Sequence, residues 1–206
     1  ESDTGKFIRR LIVVDGVFSM DGDIFPLAEL VPLAREFDAW TYVDDAHATG
    51  ILGACGRGSA EHCGVEGEID VSMGTLGKAV GTIGAYVAGS RVLIEYLMNR
   101  ARAFIFTTAA PPALAAGTLE ALRIIGAEPE LRIQLVENAR YLRARLSGIG
   151  LTPPGTGDGY IVPIVLGASK RTSEVGRALC DAGYLVGAVR PPTVPCVFAC
   201  ASRRSI

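Results

Sequence analysis

Short apolar runs alternate with helical patterns along the first half of the chain, and this alternation limits the fold more than any other feature. Residues 11–15 and 41–44 are brief apolar segments that end in aspartate, and 71–73 are a third such segment, so each is typical of a buried strand. Between the first two, apolar side chains from 27 to 37 recur at helical spacing around Pro32, which should start or kink the helix. The alternation predicts an α/β fold with a mostly parallel sheet.

The second half predicts further elements and a domain boundary. We expect a strand at 85–88, a helix at 91–100 and two long helices, one from the double proline at 111 to residue 125 and one over 131–146. The segment 151–159 is rich in proline and glycine, which indicates a boundary. Beyond it we expect a strand at 160–166, a helix at 172–182 and a strand at 184–188. The chain is therefore divided into a main unit, 1–150, and a smaller α+β unit, 151–206.

Charge and cysteine usage exclude several classes of function. The 206 residues carry a formal net charge of −2 and no basic run, so neither nucleic acid nor a membrane surface is an expected partner. No stretch reaches the ~18 consecutive apolar residues of a membrane span. The five cysteines are odd in number and lack CxxC pairs, and the acidic start has no signal-peptide pattern. We therefore expect reduced thiols in a cytoplasmic protein.

Polar residues follow the predicted strands where each strand ends. Ser19 follows the first strand, Asp44 and His47 the second, and Thr75 and Lys78 the third. In open α/β sheets the ligand binds beyond the carboxyl ends of the strands. We therefore expect these side chains to line one crevice.

The residue types at these ends allow more than one kind of chemistry. Lys78, in GTLGKAVG, is either a solvated loop lysine or a nucleophile able to form a Schiff base. Asp44 either caps the following turn or keeps a heteroaromatic ring nitrogen protonated, so that the ring can accept electrons. His47 is either structural or a donor to a ring oxygen. With two histidines and no HxH or HExxH spacing, no metal site is expected.

Four motifs in a fixed order resemble the α-oxoamine synthases. They are DGVFSMDGD, VDDAHATGILG, GTLGKAVG and RPPTVP, and the resemblance extends over residues 16–195. These enzymes use pyridoxal 5′-phosphate (PLP) and have the fold type I architecture of the class I/II aminotransferases. The resemblance implies that 1–150 are the C-terminal part of the PLP-binding large domain and that 151–206 are part of the small C-terminal domain.

The resemblance also implies a role for each matching residue. Lys78 matches the lysine that holds the cofactor and acts as base, and Asp44 matches the aspartate at the pyridine nitrogen. His47 and Ser19 match residues near the phenolic oxygen, and Thr75 matches a phosphate ligand. The resemblance further implies phosphate contacts to a partner subunit's cofactor and a site for the carboxylate of the amino acid; the matching residues are Thr107 and Thr108 for the first and Arg190 for the second.

The reaction implied by the family is decarboxylative condensation of an amino acid with an acyl-CoA or acyl-carrier thioester in a homodimer. RPPTVP favours L-alanine with a pimeloyl thioester, as in biotin biosynthesis, with glycine and acetyl-CoA as the alternative. Family members carry a preceding segment with a glycine-rich phosphate loop and an aromatic side chain on the PLP ring, and this chain departs from them after Pro195. We therefore expect a fragment that is weakly active or inactive alone, with an exposed apolar sheet edge.

Overall fold

The computed structural model describes residues 9–194 and the backbone of Val197–Cys200. These residues form two compact units. The first combines the described residues up to Val17 with Phe25–Arg132, and the second combines Phe18–Ile24 with the described residues from Ile133 onward. The predicted division at residue 150 concerns domains of the whole protein and stays a prediction.

The first unit is built on a four-stranded sheet in the order β1-β2-β3-β4. The first three strands are parallel, and β4 is antiparallel to β3, so the predicted mostly parallel sheet is confirmed. The elements of this unit are β1 (Arg10–Asp15), α1 (Leu27–Glu36), β2 (Ala39–Asp44), α2 (Ser59–His62), β3 (Val71–Thr75), β4 (Ala85–Gly89), α3 (Arg91–Arg100), α4 (Arg102–Ile105), α5 (Pro112–Ala127) and the start of α6 (Glu130–Ser147).

One face of this sheet holds the core, and the other is open. Helix α1 begins at Leu27, well before Pro32, and packs its apolar stripe against β2; the core comprises Leu27, Leu30, Val31, Val43 and Val65. Because successive strand side chains alternate between faces, Leu11, Val13 and Trp40 lie on the opposite face. They are 56%, 61% and 49% exposed. The described part of the chain leaves this apolar face largely uncovered.

The second unit joins most of α6 to β5 (Val162–Val165), α7 (Ser169–Asp181), β6 (Gly187–Ala188) and β7 (Val197–Cys200). Its three strands form an antiparallel sheet in the order β5-β7-β6. Arg143 donates to the Pro154 and Gly159 carbonyls of the boundary loop 151–159 at 3.4 and 3.5 Å, and to the Ile161 carbonyl just after it at 2.6 Å. The strand predicted at 184–188 is only two residues long, because 184–186 are irregular. No helix among the described residues is both long and apolar enough to cross a membrane.

Candidate active site

The first three strands bring polar side chains to one edge and one face of the sheet. Asp15 at the end of β1 is the register partner of Asp44 at the end of β2, and Asp44 is the partner of Met73. Thr75 ends β3 two residues after Met73. Since side chains two apart on a strand share a face, Asp15, Asp44 and Thr75 project from the same face. The carboxyl edge of the sheet therefore presents two carboxylates and a hydroxyl together.

The backbone of Ala46 links the second and third strand ends. Its N–H donates to Asp44 Oδ1 at 2.8 Å, and its carbonyl accepts from Thr75 Oγ1 at 3.2 Å. The Asp44 side chain is half-buried, and among the described residues its other oxygen has no hydrogen-bond partner. Asp44 thus keeps one carboxylate oxygen available to a ligand.

Lys78 lies in the hairpin loop between β3 and β4. The loop is closed by hydrogen bonds from Leu76 N to Gly84 O and from Thr82 N to Leu76 O, at 2.9 and 2.8 Å. A tight turn from Lys78 to Gly81 follows, and Gly81 adopts a φ of 73°, which favours glycine. Lys78 is exposed, and its amine has no hydrogen bond or ion pair with the part of the chain described here. Lys78 is therefore solvated, although its neighbours are small and apolar.

The pKa of His47 depends on burial and on the charges around it. Burial lowers the pKa of its imidazole, and the positive charge of Lys78 lowers it further. Asp44 and Asp15 act on the same pKa in the opposite direction. His47 therefore lies within electrostatic reach of all three. The structure brings Asp44, His47 and Lys78 together, and Thr75 is linked to Asp44 through Ala46; their roles stay predictions.

Asp15 is a site residue that the sequence analysis did not select. It ends a predicted strand just as Asp44 does, so the rule that identified Asp44 would also have found it. Its carboxylate is exposed beside the group formed by Asp44 and His47. We expect it to contribute negative charge at the sheet edge.

The remaining predicted residues belong to other segments of the chain. Thr107 and Thr108 are exposed in the segment between α4 and α5 of the first unit. Ser19 and Arg190 belong to the second unit; Ser19 is half-buried in a turn, and Arg190 is exposed and donates to Ser173 Oγ at 3.2 Å. The roles assigned to these four residues stay predictions.

The donor set of the sheet edge fits PLP chemically. A free primary amine suits the aldehyde, a carboxylate with an available oxygen suits the pyridinium N–H, and an imidazole suits the phenolic oxygen. Lys78, Asp44 and His47 supply these groups within one unit. No group of three or more side chains that could hold a metal ion occurs among the residues described.

Comparison with known proteins identifies the family. The model of the class I and II aminotransferases matches residues 1–203. The chain belongs to this family. Curated relatives include the 8-amino-7-oxononanoate synthase of Methylococcus capsulatus, which is 53% identical over 188 residues, covering 90% of this chain and 48% of the relative. That of Thermoanaerobacter pseudethanolicus is 45% identical over 190 residues, covering 92% of this chain and 48% of the relative.

Solved structures confirm the predicted fold. A serine palmitoyltransferase from S. paucimobilis with bound PLP is 34% identical, with a TM-score of 0.89 over 97% of this chain and 52% of that chain. The 8-amino-7-oxononanoate synthase of Francisella tularensis is 26% identical, with a TM-score of 0.83 over 95% of this chain and 57% of that chain. The fold is therefore the predicted type I α/β architecture of PLP-dependent transferases. The chain spans about half the length of the curated relatives it matches.

Proposed function

We propose that the chain is part of an 8-amino-7-oxononanoate synthase that uses PLP to condense L-alanine with a pimeloyl thioester. The observation that carries the proposal is the meeting of Lys78, Asp44 and His47 at the carboxyl edge of one sheet. Relatives of that name at about half identity support the choice of reaction. The condensation releases carbon dioxide and the thiol of the thioester, so all atoms of the two substrates are accounted for.

The residues of this chain would hold the cofactor and move one proton. PLP, when bound, supplies an electron sink that stabilises negative charge on the substrate α-carbon. The Lys78 amine would hold the aldehyde carbon and, once released, would take the α-proton of the amino acid. The free oxygen of Asp44 would accept from the ring N–H and so keep that nitrogen protonated. Because its pKa is lowered, His47 is neutral near pH 7 and would donate its ring N–H to the phenolic oxygen.

The other predicted residues complete the proposal. Thr75 would contact the phosphate, and Ser19 the phenolic oxygen. Arg190 would pair with the carboxylate of the amino acid through its fork of donors. In a homodimer, Thr107 and Thr108 would reach the phosphate of the partner subunit's cofactor. Among the residues that the structure describes, Cys55, Cys63 and Cys180 are free thiols, which supports the cytoplasm as the location of the protein.

Covalent labelling tests whether Lys78 is the cofactor lysine. The chain is incubated with PLP, reduced with borohydride and digested, and the modified lysines are identified by mass spectrometry. Lys170 is the matched control, because it is also exposed and sits in α7 of the second unit. We expect labelling of Lys78 at a PLP concentration that leaves Lys170 unmodified. Equal labelling of the two lysines would contradict the proposal.

The substrates are tested separately by thioester release. Alanine, glycine and serine are each combined with pimeloyl-CoA, acetyl-CoA and a long-chain acyl-CoA, and free thiol is measured. Preference for alanine with pimeloyl-CoA supports the proposed reaction, whereas preference for glycine with acetyl-CoA overturns it. Absence of release with every pair is the result expected if the chain alone is inactive, and the labelling of Lys78 then decides whether it binds PLP.

A further inference from the structure

Asp45, the second aspartate of the VDDAH motif, makes contacts that differ from those of Asp44. It is only 5% exposed, and its carboxylate faces Ser59 at the start of α2. Ser59 N donates to Oδ2 at 2.9 Å, and Ser59 Oγ donates to Oδ1 at 2.5 Å. A buried carboxylate is retained in a fold when such donors satisfy it. We call Asp45 and Ser59 the Asp45 anchor.

Two glycines make room for this anchor. A Cβ at Gly16 would overlap Asp45 Oδ1 and Ser59 Oγ, and a Cβ at Gly58 would overlap Asp45 Oδ2. Gly58 also has a φ of 115°, a conformation that side-chain-bearing residues rarely adopt. The carboxylate therefore has the backbone of these two glycines close to it.

The backbone of Asp45 joins the anchor to the active-site edge. Asp45 N donates to Met73 O of β3 at 2.7 Å, and Asp45 O accepts from Ala48 N and Thr49 N at 2.9 Å. The turn that these bonds close carries Asp44 on one side and His47 on the other. The anchor thus fixes the turn that presents both groups.

The geometry points to Asp45 as a positioning residue, which acts through Ser59 to hold Asp44 and His47 in place for the cofactor. This inference rests on the proposed function only where it concerns PLP. The placement of His47 by Asp45 and Ser59 concerns this chain without any ligand. Among the described residues, the side-chain hydrogen bonds of Asp45 are with Ser59 and none joins it to Lys78.

Asp70 provides a matched control for a test of the Asp45 anchor. It accepts from the N–H and the hydroxyl of Thr41 at 2.8 and 3.0 Å, so it also bonds one main-chain and one hydroxyl donor of a single residue, although both reach Oδ2 and Asp70 is exposed. It lies at the opposite end of the strands, since Thr41 is near the start of β2 and Asp70 precedes β3. Asp45→Asn and Asp70→Asn therefore make the same chemical change at the two ends of one sheet.

The test measures the His47 pKa by NMR in the ligand-free chain and the labelling of Lys78 by PLP. Among the described residues, the charges of Lys78, Asp44 and Asp15 shift the pKa of His47. Because Ser59→Ala keeps the Asp45 carboxylate, a change in the His47 pKa in this variant reports movement of the turn. We expect a shift of about half a unit or more in Asp45→Asn and a smaller one in Ser59→Ala, which keeps the backbone donor. Asp70→Asn should leave this pKa unchanged.

Two outcomes separate the inference from the proposed function. If Asp45→Asn and Ser59→Ala leave the His47 pKa at its wild-type value, Asp45 is a purely structural carboxylate and the inference is wrong. If the His47 pKa moves and wild-type Lys78 is not labelled, the positioning role stands and the PLP proposal fails. Should Asp45→Asn fail to fold, Ser59→Ala alone decides. If PLP labels Lys78 in the wild type, we expect this labelling to fall about tenfold in Asp45→Asn and to be unchanged in Asp70→Asn.

Discussion

At the scale of single residues, the site depends on charges that oppose each other around one imidazole. Burial and Lys78 both favour neutral His47, whereas Asp44 and Asp15 favour its protonated form. Because burial is the largest cause, the pKa stays below 6.5, and His47 is neutral near pH 7. A neutral imidazole keeps one N–H donor and one acceptor, as the proposed contact with a ring oxygen requires.

Opposite substitutions should move this pKa in opposite directions. Lys78→Gln removes a positive charge and should raise the His47 pKa toward 6.5, although burial still holds it lower. Asp44→Asn removes a negative charge and should lower the pKa further. Two-dimensional NMR of the imidazole across a pH series measures both. Shifts in the same direction for both variants would show that His47 responds to rearrangement instead of charge.

The buried carboxyl group of Asp45 should make the free energy of unfolding depend on pH. Burial raises its pKa above 3.8, and the hydrogen bonds from Ser59 only partly offset this. The folded chain therefore binds the Asp45 proton more tightly than the unfolded chain does. The stability this contributes is present below pH 3.8 and is lost as pH rises through the folded pKa. The unfolding free energy of wild type minus that of Asp45→Asn, from urea titrations, should fall over this range; a rise would contradict the sign.

At the scale of elements, glycines decide how closely the strands and loops approach. Gly74 in β3 is buried next to the side chains of Thr49 and Tyr86. The oxygens of these side chains, Oγ1 and Oη, are hydrogen-bonded to each other at 3.0 Å. A Cβ at Gly74 would lie 2.5 Å from each of those oxygens. Gly126, in α5, faces open space and has ordinary helical geometry. The two glycines therefore have opposite expected responses to alanine.

Alanine substitution tests this contrast. Gly74→Ala should destabilise the chain by about 1–3 kcal/mol, because the new methyl group must displace Thr49 and Tyr86. Gly126→Ala should stabilise it by up to about 1 kcal/mol, because alanine favours the helix more than glycine does. Chemical denaturation of both variants with the wild type gives the two differences. Equal effects would mean that packing at Gly74 is looser than described.

Much of this element structure could be predicted from local pattern. The parallel strands, α1 with Pro32 inside it and the strand-end residues Asp44 and Thr75 all follow from apolar runs and the residues that end them. The sequence left Lys78 as either a solvated loop lysine or a nucleophile, because small neighbours do not report which elements cover a loop; the structure shows it exposed. The role of Asp45 was also beyond reach, since it depends on Ser59, fourteen residues away, whose side chain shows no signal in the sequence.

At the scale of the whole molecule, open apolar surface dominates. Leu11, Val13 and Trp40 are exposed on one face of the sheet, and β1 and β4 are its edge strands in the described chain. Phe104 and Phe106, around α4, add further exposed aromatic area. Large apolar patches and unpaired strand edges favour association with other chains. The expected apolar edge is thus present in the structure.

The chain alone should associate with itself in a concentration-dependent way. Val13→Lys places a charge on the open face of edge strand β1 and should shift the distribution toward monomer in sedimentation velocity. Leu33→Lys is the control, since Leu33 is also half exposed but lies on α1. We expect little change from it. A monomeric wild type at high micromolar concentration would contradict the prediction.

The hydrogen bonds of Ala46 have a consequence for how the proposed site tolerates change. Asp44 and Thr75 come from different strands, yet both are bonded to the main chain of this one residue. A displacement of Ala46 would therefore act on both side chains at once. Because Ala46 contributes only its N–H and its carbonyl, side chains other than proline, which lacks the N–H, keep both bonding groups. The distance between Asp44, proposed for the ring nitrogen, and Thr75, proposed for the phosphate, therefore depends on the main chain of Ala46.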